Sequence, residues 1–477
     1  MNSRLAMGFG VENSPGWFVL EGKMSIFFQR SSVWIMLWLL IAGCSKTPDA
    51  KTSENESPSF DDSPAPEQNA NKLSTNLFEM MKLADQQNSE GDFDTAYETW
   101  RNIHSQVNNE YGIDAWQTVS AELAMNAARQ RTKMTAENAK LSRQLTQLVS
   151  NSMQLMQEKK YDSARPDIEK ASGLSTRLWG KESFVSANIN FNRAMCYFYE
   201  GDHNRAIAVM TDVLNLRISL TGVNHPDVET AMESLATAHN RLKQFDQEEK
   251  VLIQLLDVSK SLWGIESREY EIRCNDLGVA YNNNSKPLLA IKQFNELVEL
   301  RRKKYGDDSM EIGHAEFNRG IAFSQIKKYD AALTSLQTTY SIFHKHDINL
   351  QDLSWVTLLE QLGQLSLITK KHLDGQRYYS ELADLWKANK GDGSIEYGKS
   401  LYKLSVCIGN QGKYPEAEPI MKRSLDIFEA NLGAENKLLH QPLTTYSWLL
   451  EKMGVTQEAE RVKIRAVRLA GFQPLPK

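Results

Sequence analysis

The chain has few cysteines and none of the common catalytic motifs. Its 477 residues contain four cysteines, which lie far apart, so a disulfide framework is not expected. No HExxH, GxSxG, phosphate-binding P-loop, GxGxxG or CxxC pattern is present. The nine histidines are scattered, and the close pair His344 and His346 would point to different sides of a helix. We therefore expect no enzyme activity, no cofactor and no metal site.

Excess positive charge and long apolar segments are also missing. The formal net charge is −5, so the chain lacks the electrostatic footprint of a nucleic-acid-binding protein. After residue 44 no segment approaches the roughly 18 apolar residues that a membrane-spanning helix needs. With 41% apolar and 24% charged residues, the composition is ordinary for a globular protein.

A small residue recurs along the chain, almost always at a spacing of 42 residues or a multiple of it. These positions are Ala164, Ala206, Ala290, Ala332, Gly375, Ala417 and Ala459. One expected position holds Glu248 instead, and the spacing slips by one residue before Gly375. Sixteen residues after most of them stands a glycine: Gly180, Gly222, Gly264, Gly306, Gly391 and Gly433. Because glycine can take the left-handed conformation that closes a helix, each small residue is predicted to lie inside a helix that the glycine ends.

A second set of small residues lies twelve positions before the first. It comprises Ser152, Ala194, Ala236, Gly278, Gly320, Gly363, Ser405 and Ser447. Two antiparallel helices approach closely only where neither carries a bulky side chain, so the paired positions predict helical hairpins. The predicted fold class is all-α, an α-solenoid of stacked antiparallel hairpins. Cys196, Cys274 and Cys407 fall near the small positions of three first helices and are predicted to pack there as small apolar groups.

This pattern resembles the tetratricopeptide repeat, and the 42-residue period is similar to its kinesin-light-chain type rather than the common 34-residue form. Residues 412–418, with the sequence GKYPEAE, resemble the start of that family's second helix. Gly222 with His225-Pro226-Asp227 resembles its turn between repeats. The resemblance covers roughly residues 73–470 and implies a superhelix that binds proteins or peptides.

The repeat region begins with an irregular part. Residues 73–112 fit a first helical repeat, and residues 113–144 are extra, a polar run that contains alanine but no proline or glycine. Such a run favours additional or lengthened helix. It either pads the end of the solenoid or provides a contact surface. Residues 145–472 are assigned to eight tandem repeats with a C-terminal cap, and 473–477 to a tail.

The N-terminal region predicts export and lipid attachment. A charged residue precedes the apolar run 33–40, which leads into Ile41-Ala42-Gly43-Cys44-Ser45. This is the order of a secretory signal, and its end resembles the lipobox of bacterial lipoproteins. The resemblance implies removal of residues 1–43, with Met24 as the true start, and lipidation of Cys44. An uncleaved anchor or an ordinary signal peptide is the alternative.

The segment that follows the lipidated cysteine predicts a tether. Residues 44–72 are rich in Ser, Pro, Asp, Glu and Asn and have almost no large apolar side chains, so they are expected to be disordered. Ser45 stands where an Asp would favour the inner membrane in proteobacterial lipoproteins. We therefore expect a bacterial cell-envelope protein on the exported side, with the outer membrane, facing the periplasm, favoured.

The resemblance also nominates a peptide groove. In this family the first helices line the concave face, and fixed positions around the small residue point into it. Carried over one residue at a time, these positions are Phe191, Asn192, Met195, Phe198, Tyr199, Glu233, Asn240, Arg241, Asn275, Asp276, Asn282, Asn318, Gln325, Gln361, Gln364, Tyr402 and Lys403. Amides carry both donors and acceptors, so they suit the backbone of an extended peptide, and the aromatics would anchor its side chains.

The leading interpretation is a lipid-anchored scaffold that binds proteins or peptides through this groove. The Lys, Asn and Arg set with which some relatives capture a C-terminal carboxylate is absent, so that mode is not expected. The alternative is a periplasmic glycan-binding or small-ligand-binding protein, with Phe198, Tyr199 and Tyr402 stacking on sugars. Saturable binding to an envelope protein would favour the first, and retention on glycan without a protein partner the second.

Overall fold

Helices joined by short turns account for most of the described chain. The structure is a computed structural model that describes residues 75–346 and 353–471. The predictions for Cys44, the signal region, the tether at 44–72 and the tail at 473–477 lie outside these residues. The described residues form nineteen α-helices and one short 3-10 helix, without any strand. Within that part of the chain, no helix combines the length and apolar character needed to cross a membrane.

The described chain divides into two compact units at residue 284. The helices of the N-terminal unit are α1 (Thr75–Glu90), α2 (Phe93–Tyr111), α3 (Trp116–Thr132), α4 (Ala136–Gln157), α5 (Tyr161–Trp179), α6 (Phe184–Glu200), α7 (His203–Thr221), α8 (Pro226–Arg241), α9 (Phe245–Trp263) and α10 (Arg268–Asn283). The region predicted as an insertion thus contains α3 and the beginning of α4, which with 22 residues is longer than its neighbours.

The C-terminal unit starts at Ser285. Its helices are α11 (Pro287–Tyr305), α12 (Met310–Gln325), α13 (Tyr329–Lys345), α14 (Leu353–Ile368), α15 (His372–Lys390), α16 (Ile395–Asn410), α17 (Tyr414–Leu432), the 3-10 helix Lys437–Leu439, α18 (His440–Lys452) and α19 (Thr456–Leu469). In both units helices that follow each other in the chain pack together in pairs, which confirms the predicted all-α solenoid of helical hairpins.

The small residues lie where the two helices of a hairpin cross. Ser447 Oγ donates a hydrogen bond to the carbonyl oxygen of Ala459, twelve residues later, at 3.0 Å. At Gly320 a Cβ atom would come within 2.8 Å of the Leu336 side chain and 3.3 Å of the Ala332 carbonyl oxygen. There is therefore no room for a larger side chain, and the predicted hairpin contact is confirmed.

Glycine closes the second helices as predicted. Gly264 follows α9 with φ of 81°, and its N–H donates to the Lys260 carbonyl oxygen at 3.0 Å. Gly433 follows α17 in the same way, with φ of 86°. A left-handed residue at this point satisfies a terminal carbonyl group and turns the chain into the next first helix. The three described cysteines are buried and free, which confirms their predicted packing role.

Glu248, which stands where the pattern expects a small residue, is accommodated by a hydrogen-bond donor nearby. Its side chain is buried where the other repeats have alanine or glycine. Asn240, near the end of the preceding first helix, donates from Nδ2 to both carboxylate oxygens, at 3.0 and 2.9 Å. A buried carboxylate is tolerated when hydrogen-bond donors replace water, so the hairpin keeps its geometry without a small residue.

Candidate functional site

Several nominated side chains of the N-terminal unit form contacts between neighbouring repeats. The Nδ2 atom of Asn192 on α6 lies 2.9 Å from Met153 Sδ on α4, and both residues are buried. The ring of Tyr199 stacks on that of Tyr161 with centroids 5.0 Å apart, and Phe198 meets Tyr199 edge-on. Met195 belongs to the same apolar cluster. These side chains hold α6 to the preceding repeat, which leaves less of their surface for a ligand.

Two further nominated residues lie in a buried charge network around Arg273, which is 5% exposed. Its Nη2 donates to Glu233 at 2.8 Å, its Nε to Glu229 at 3.3 Å and its Nη1 to Asp276 at 3.4 Å. Burial alone would lower the pKa of this guanidinium, but the three carboxylates, Glu233 foremost, raise the pKa above its usual range. Trp263 Nε1 donates to Glu229 as well, at 2.8 Å. The network ties α8, α9 and α10 together.

The remaining nominated residues of this unit differ in exposure. Phe191 is half-buried beneath Arg217, whose guanidinium carbon lies 4.4 Å from the ring centroid. Asn275 and Asn282 are half-buried, and Arg241 is exposed. Asn240 donates hydrogen bonds to the Glu248 carboxylate. The N-terminal candidates therefore range from buried to exposed.

Helix α3 packs along the repeats of its own unit. Ser120 Oγ and His225 Nε2 are 2.9 Å apart, and the Trp116 ring meets the rings of His225 and Trp263 at 6.2 Å. At its other end the Arg131 guanidinium lies over the Trp179 ring, 5.4 Å from the centroid. The three partners Trp179, His225 and Trp263 lie at or just after the C-terminal ends of the second helices of three successive repeats. Sequence reasoning missed this interface because α3 carries no repeat pattern of its own.

The C-terminal unit keeps more of its nominated side chains accessible. Gln325 and Gln364 are exposed, while Asn318, Gln361 and Lys403 are half-buried. Tyr402 is the exception, because it is buried and its hydroxyl lies 3.2 Å from Thr445 Oγ1 on the next first helix. Its ring is therefore not open to stack on a sugar.

An acid and a base on successive first helices are each accessible to solvent and have shifted pKa values. Glu360 on α14 is exposed to solvent, but the protein around it raises the pKa of its carboxyl, an effect that Lys399 opposes. Lys403 on α16 is half-buried, and desolvation lowers the pKa of its amine. Both residues lie on first helices, which the repeat resemblance assigns to the concave face. We call Glu360, Gln361, Gln364, Lys399 and Lys403 the amide groove.

The comparisons with known proteins support the repeat assignment. Residues 185–261, from α6 to α9, match the tetratricopeptide repeat family model. This part of the chain therefore carries tetratricopeptide repeats, as predicted. A search of curated proteins finds no match.

Solved structures of repeat proteins are similar at low identity. Tetratricopeptide-like repeats of a kinesin light chain from P. anserina share 15% identity, covering 45% of this chain and all of that chain, with a TM-score of 0.40. A tetratricopeptide repeat protein from Parabacteroides merdae shares 15%, covering 63% of this chain and 99% of that chain, with a TM-score of 0.40. The apo form of the quorum sensor NprR from B. thuringiensis shares 10%, covering 80% and 99%, with a TM-score of 0.42.

Proposed function

We propose that this chain is a lipid-anchored scaffold of the cell envelope that binds an extended segment of a partner protein in the amide groove. The observation that carries the proposal is that Glu360 and Lys403, on successive first helices, are both reachable from solvent yet partly desolvated. Charges in such a setting interact more strongly with a ligand than charges on an open surface. The corresponding candidates of the N-terminal unit are largely engaged with their own repeats.

The chemistry of the groove favours a peptide. Gln361 and Gln364 offer donors and acceptors that match the N–H and C=O groups of an extended backbone. Glu360 offers one acidic group, and Lys399 and Lys403 offer two basic groups. Together they suit a peptide segment that carries charges of both signs. Specificity then comes from the charged side chains and general affinity from the amides.

A capture experiment tests the groove. The full chain, the double variant Glu360→Gln/Lys403→Gln and the control Lys422→Gln, an exposed position on α17, are each used to isolate binding partners from detergent-solubilised envelope. We expect the same partner with wild type and control, and a yield lower by about tenfold or more with the double variant, because two charge-assisted contacts are lost. Equal yields from all three proteins would refute the groove assignment.

The anchor is proposed from the sequence around Cys44. A small-residue stretch that ends in cysteine after an apolar run supports lipidation, and two or more acyl chains give stable membrane attachment. Replacing Cys44 by Ala removes the thiol that would be acylated. We expect the variant to leave the membrane fraction of cells and the wild type to stay in it. Identical fractionation of the two proteins would exclude lipidation as the anchor.

A further inference from the structure

The turns that join first to second helices in the C-terminal unit combine exposed aliphatic and basic side chains. Leu288 and Leu289 at the beginning of α11 are 68% and 45% exposed, and Leu373 at the beginning of α15 is 70% exposed. Between them along the chain, Lys327 and Lys328 occupy the turn before α13. Single exposed leucines are common on protein surfaces, so what distinguishes these positions is the basic side chains beside them.

These side chains lie at one edge of the unit. Helices that follow each other run in opposite directions, so every second helix begins at the same end of its hairpin. Neighbouring hairpins stack at a distance of roughly 10 Å between helix axes. We call Leu288, Leu289, Lys327, Lys328, Lys370 and Leu373 the leucine–lysine edge.

The opposite edge of the same unit has a different character. Its turns carry Asp308, Asp392 and Glu435, and each of them is paired. Asp308 lies 2.6 Å from Lys345 Nζ, Asp392 3.3 Å from Arg423 Nη2 and Glu435 2.7 Å from Arg468 Nη2. This edge is therefore acidic in its turns and internally neutralised.

The lysines of the leucine–lysine edge are not neutralised in this way. Among the described residues, Lys327, Lys328 and Lys370 have no ion-pair partner. The acidic side chains at these turns are Asp330, which lies 3.7 Å from Lys371 Nζ, and Asp374. The edge thus keeps an excess of positive charge beside its exposed leucines. Such a surface attracts an anionic partner.

We propose that the leucine–lysine edge docks on the anionic surface of a lipid bilayer. Leucine side chains at turn tips enter the boundary between headgroups and acyl chains, while the lysines beside them contact lipid phosphates. No helix needs to insert, because only the tips of three turns touch the lipid. The leucines lie at separate turns among charged groups, an arrangement that fits a fluid interface better than the continuous apolar centre of a protein–protein interface.

This docking is independent of the amide groove and of the proposed lipid on Cys44. The groove residues lie on first helices, whereas the edge lies at the beginnings of second helices. Docking through this edge would fix the orientation of the C-terminal unit on the membrane. A lipid tether alone would leave that orientation free.

Vesicle binding tests the proposal. The full chain with Cys44→Ala, which cannot be acylated, is mixed with phosphatidylcholine vesicles that contain either no phosphatidylglycerol or about 30% of it. In this background we compare Lys327→Gln/Lys328→Gln/Lys370→Gln and Leu288→Gln/Leu373→Gln with the parent. A matched control, Lys303→Gln/Lys387→Gln/Lys422→Gln, removes three exposed lysines outside the edge.

We expect the parent and the control to bind the anionic vesicles alike. The lysine variant should lose about a hundredfold in partition coefficient at low salt, since each of the three lysines near an anionic surface contributes about fivefold. The leucine variant should also bind more weakly. Equal losses in the control and the lysine variant would overturn the proposal, as would failure of the parent to bind. Unchanged vesicle binding by both edge variants, together with loss of a captured acidic protein, would also overturn it and assign the edge to a protein partner.

Discussion

At the scale of single residues, His225 shows how one side chain joins α3 to the repeats. Its Nδ1 accepts a hydrogen bond from the backbone N–H of Asp227 at 3.1 Å. The neutral ring therefore carries its proton on Nε2 and donates it to Ser120 Oγ at 2.9 Å. Burial lowers the pKa of this imidazole, and Asp227 only partly offsets that effect. Protonation would remove the acceptor that caps α8.

Stability should consequently fall in mild acid. Below about pH 6.5 the histidine binds a proton in the unfolded chain but stays neutral in the folded protein. The stability that is present above this pH is therefore lost as the pH falls toward the lowered pKa of the folded state. We expect the free energy of unfolding in urea to drop by about 1 kcal/mol more in wild type than in His225→Asn between pH 7.5 and 5.5. Asparagine still caps a helix but does not titrate. Parallel pH dependence of the two proteins would contradict this role.

At the scale of structural elements, the turns between first and second helices show one backbone geometry built from different residues. Lys243, Lys327 and Lys370 have φ of 56°, 60° and 61°, and Gly412 and Gly454 occupy the same place with 81° and 79°. Lysine is strained in this left-handed conformation, and glycine is not. The repeats therefore accept some strain at the points where lysine is exposed.

Substitutions at these turns should have unequal effects. Gly412→Val should destabilise the C-terminal unit by about 1 kcal/mol or more, because a β-branched side chain at positive φ costs more in strain than is gained by restricting the unfolded chain. Lys327→Gly should change the free energy of unfolding by less than about 0.5 kcal/mol, because the relief of strain is offset by the greater freedom of glycine in the unfolded chain. Thermal unfolding of the two variants checks this. An equal loss in both would show that the turn conformation does not decide the effect.

Much of the element pattern could be predicted from the sequence, and the reason is steric. Small residues at helix crossings and glycine at helix ends, such as Gly320 and Gly433, are dictated by local geometry that repeats every hairpin. The path of α3 could not be predicted, since its contacts with His225 and Trp263 join residues more than one hundred positions apart.

The amide groove could be predicted only in part. A repeat template gives the direction of a side chain, but it does not show whether a neighbouring repeat already contacts it. Asn192 and Tyr402 are nominated by the template, and in the structure they are buried and contact Met153 and Thr445 of adjacent repeats. Glu360, by contrast, differs from other exposed acids only through its three-dimensional surroundings, which the sequence does not reveal.

At the scale of the whole molecule, each unit has its own means of cohesion. The N-terminal unit contains α3, which packs along the repeats, and the Arg273 network, which joins three helices. The C-terminal unit has one apolar cluster that includes the fully buried Trp355 and Tyr378. The first unit is thus braced by long-range polar and aromatic contacts, while the second relies on a continuous apolar core and keeps its groove side chains accessible.

Loss of the Trp116 side chain should therefore loosen the N-terminal unit selectively. Trp116 is 9% exposed, and truncation of a buried aromatic residue typically destabilises by about 3–5 kcal/mol. We expect Trp116→Ala to speed amide hydrogen exchange in α3 by about tenfold or more and to leave α14 to α16 unchanged. The control is Ile113→Ala, because Ile113 is 73% exposed. Unchanged exchange in α3 would show that its packing does not depend on Trp116.

Site-specific photo-crosslinking in intact cells shows whether a partner protein binds in the amide groove. A benzophenone side chain is placed at Gln364 in the groove or, as the control, at Lys422 on the outer surface of α17, both of which are exposed. We expect a defined crosslinked protein from position 364, absent from position 422 and abolished by Glu360→Gln/Lys403→Gln. The same crosslinks from both positions, or none from position 364, would contradict it.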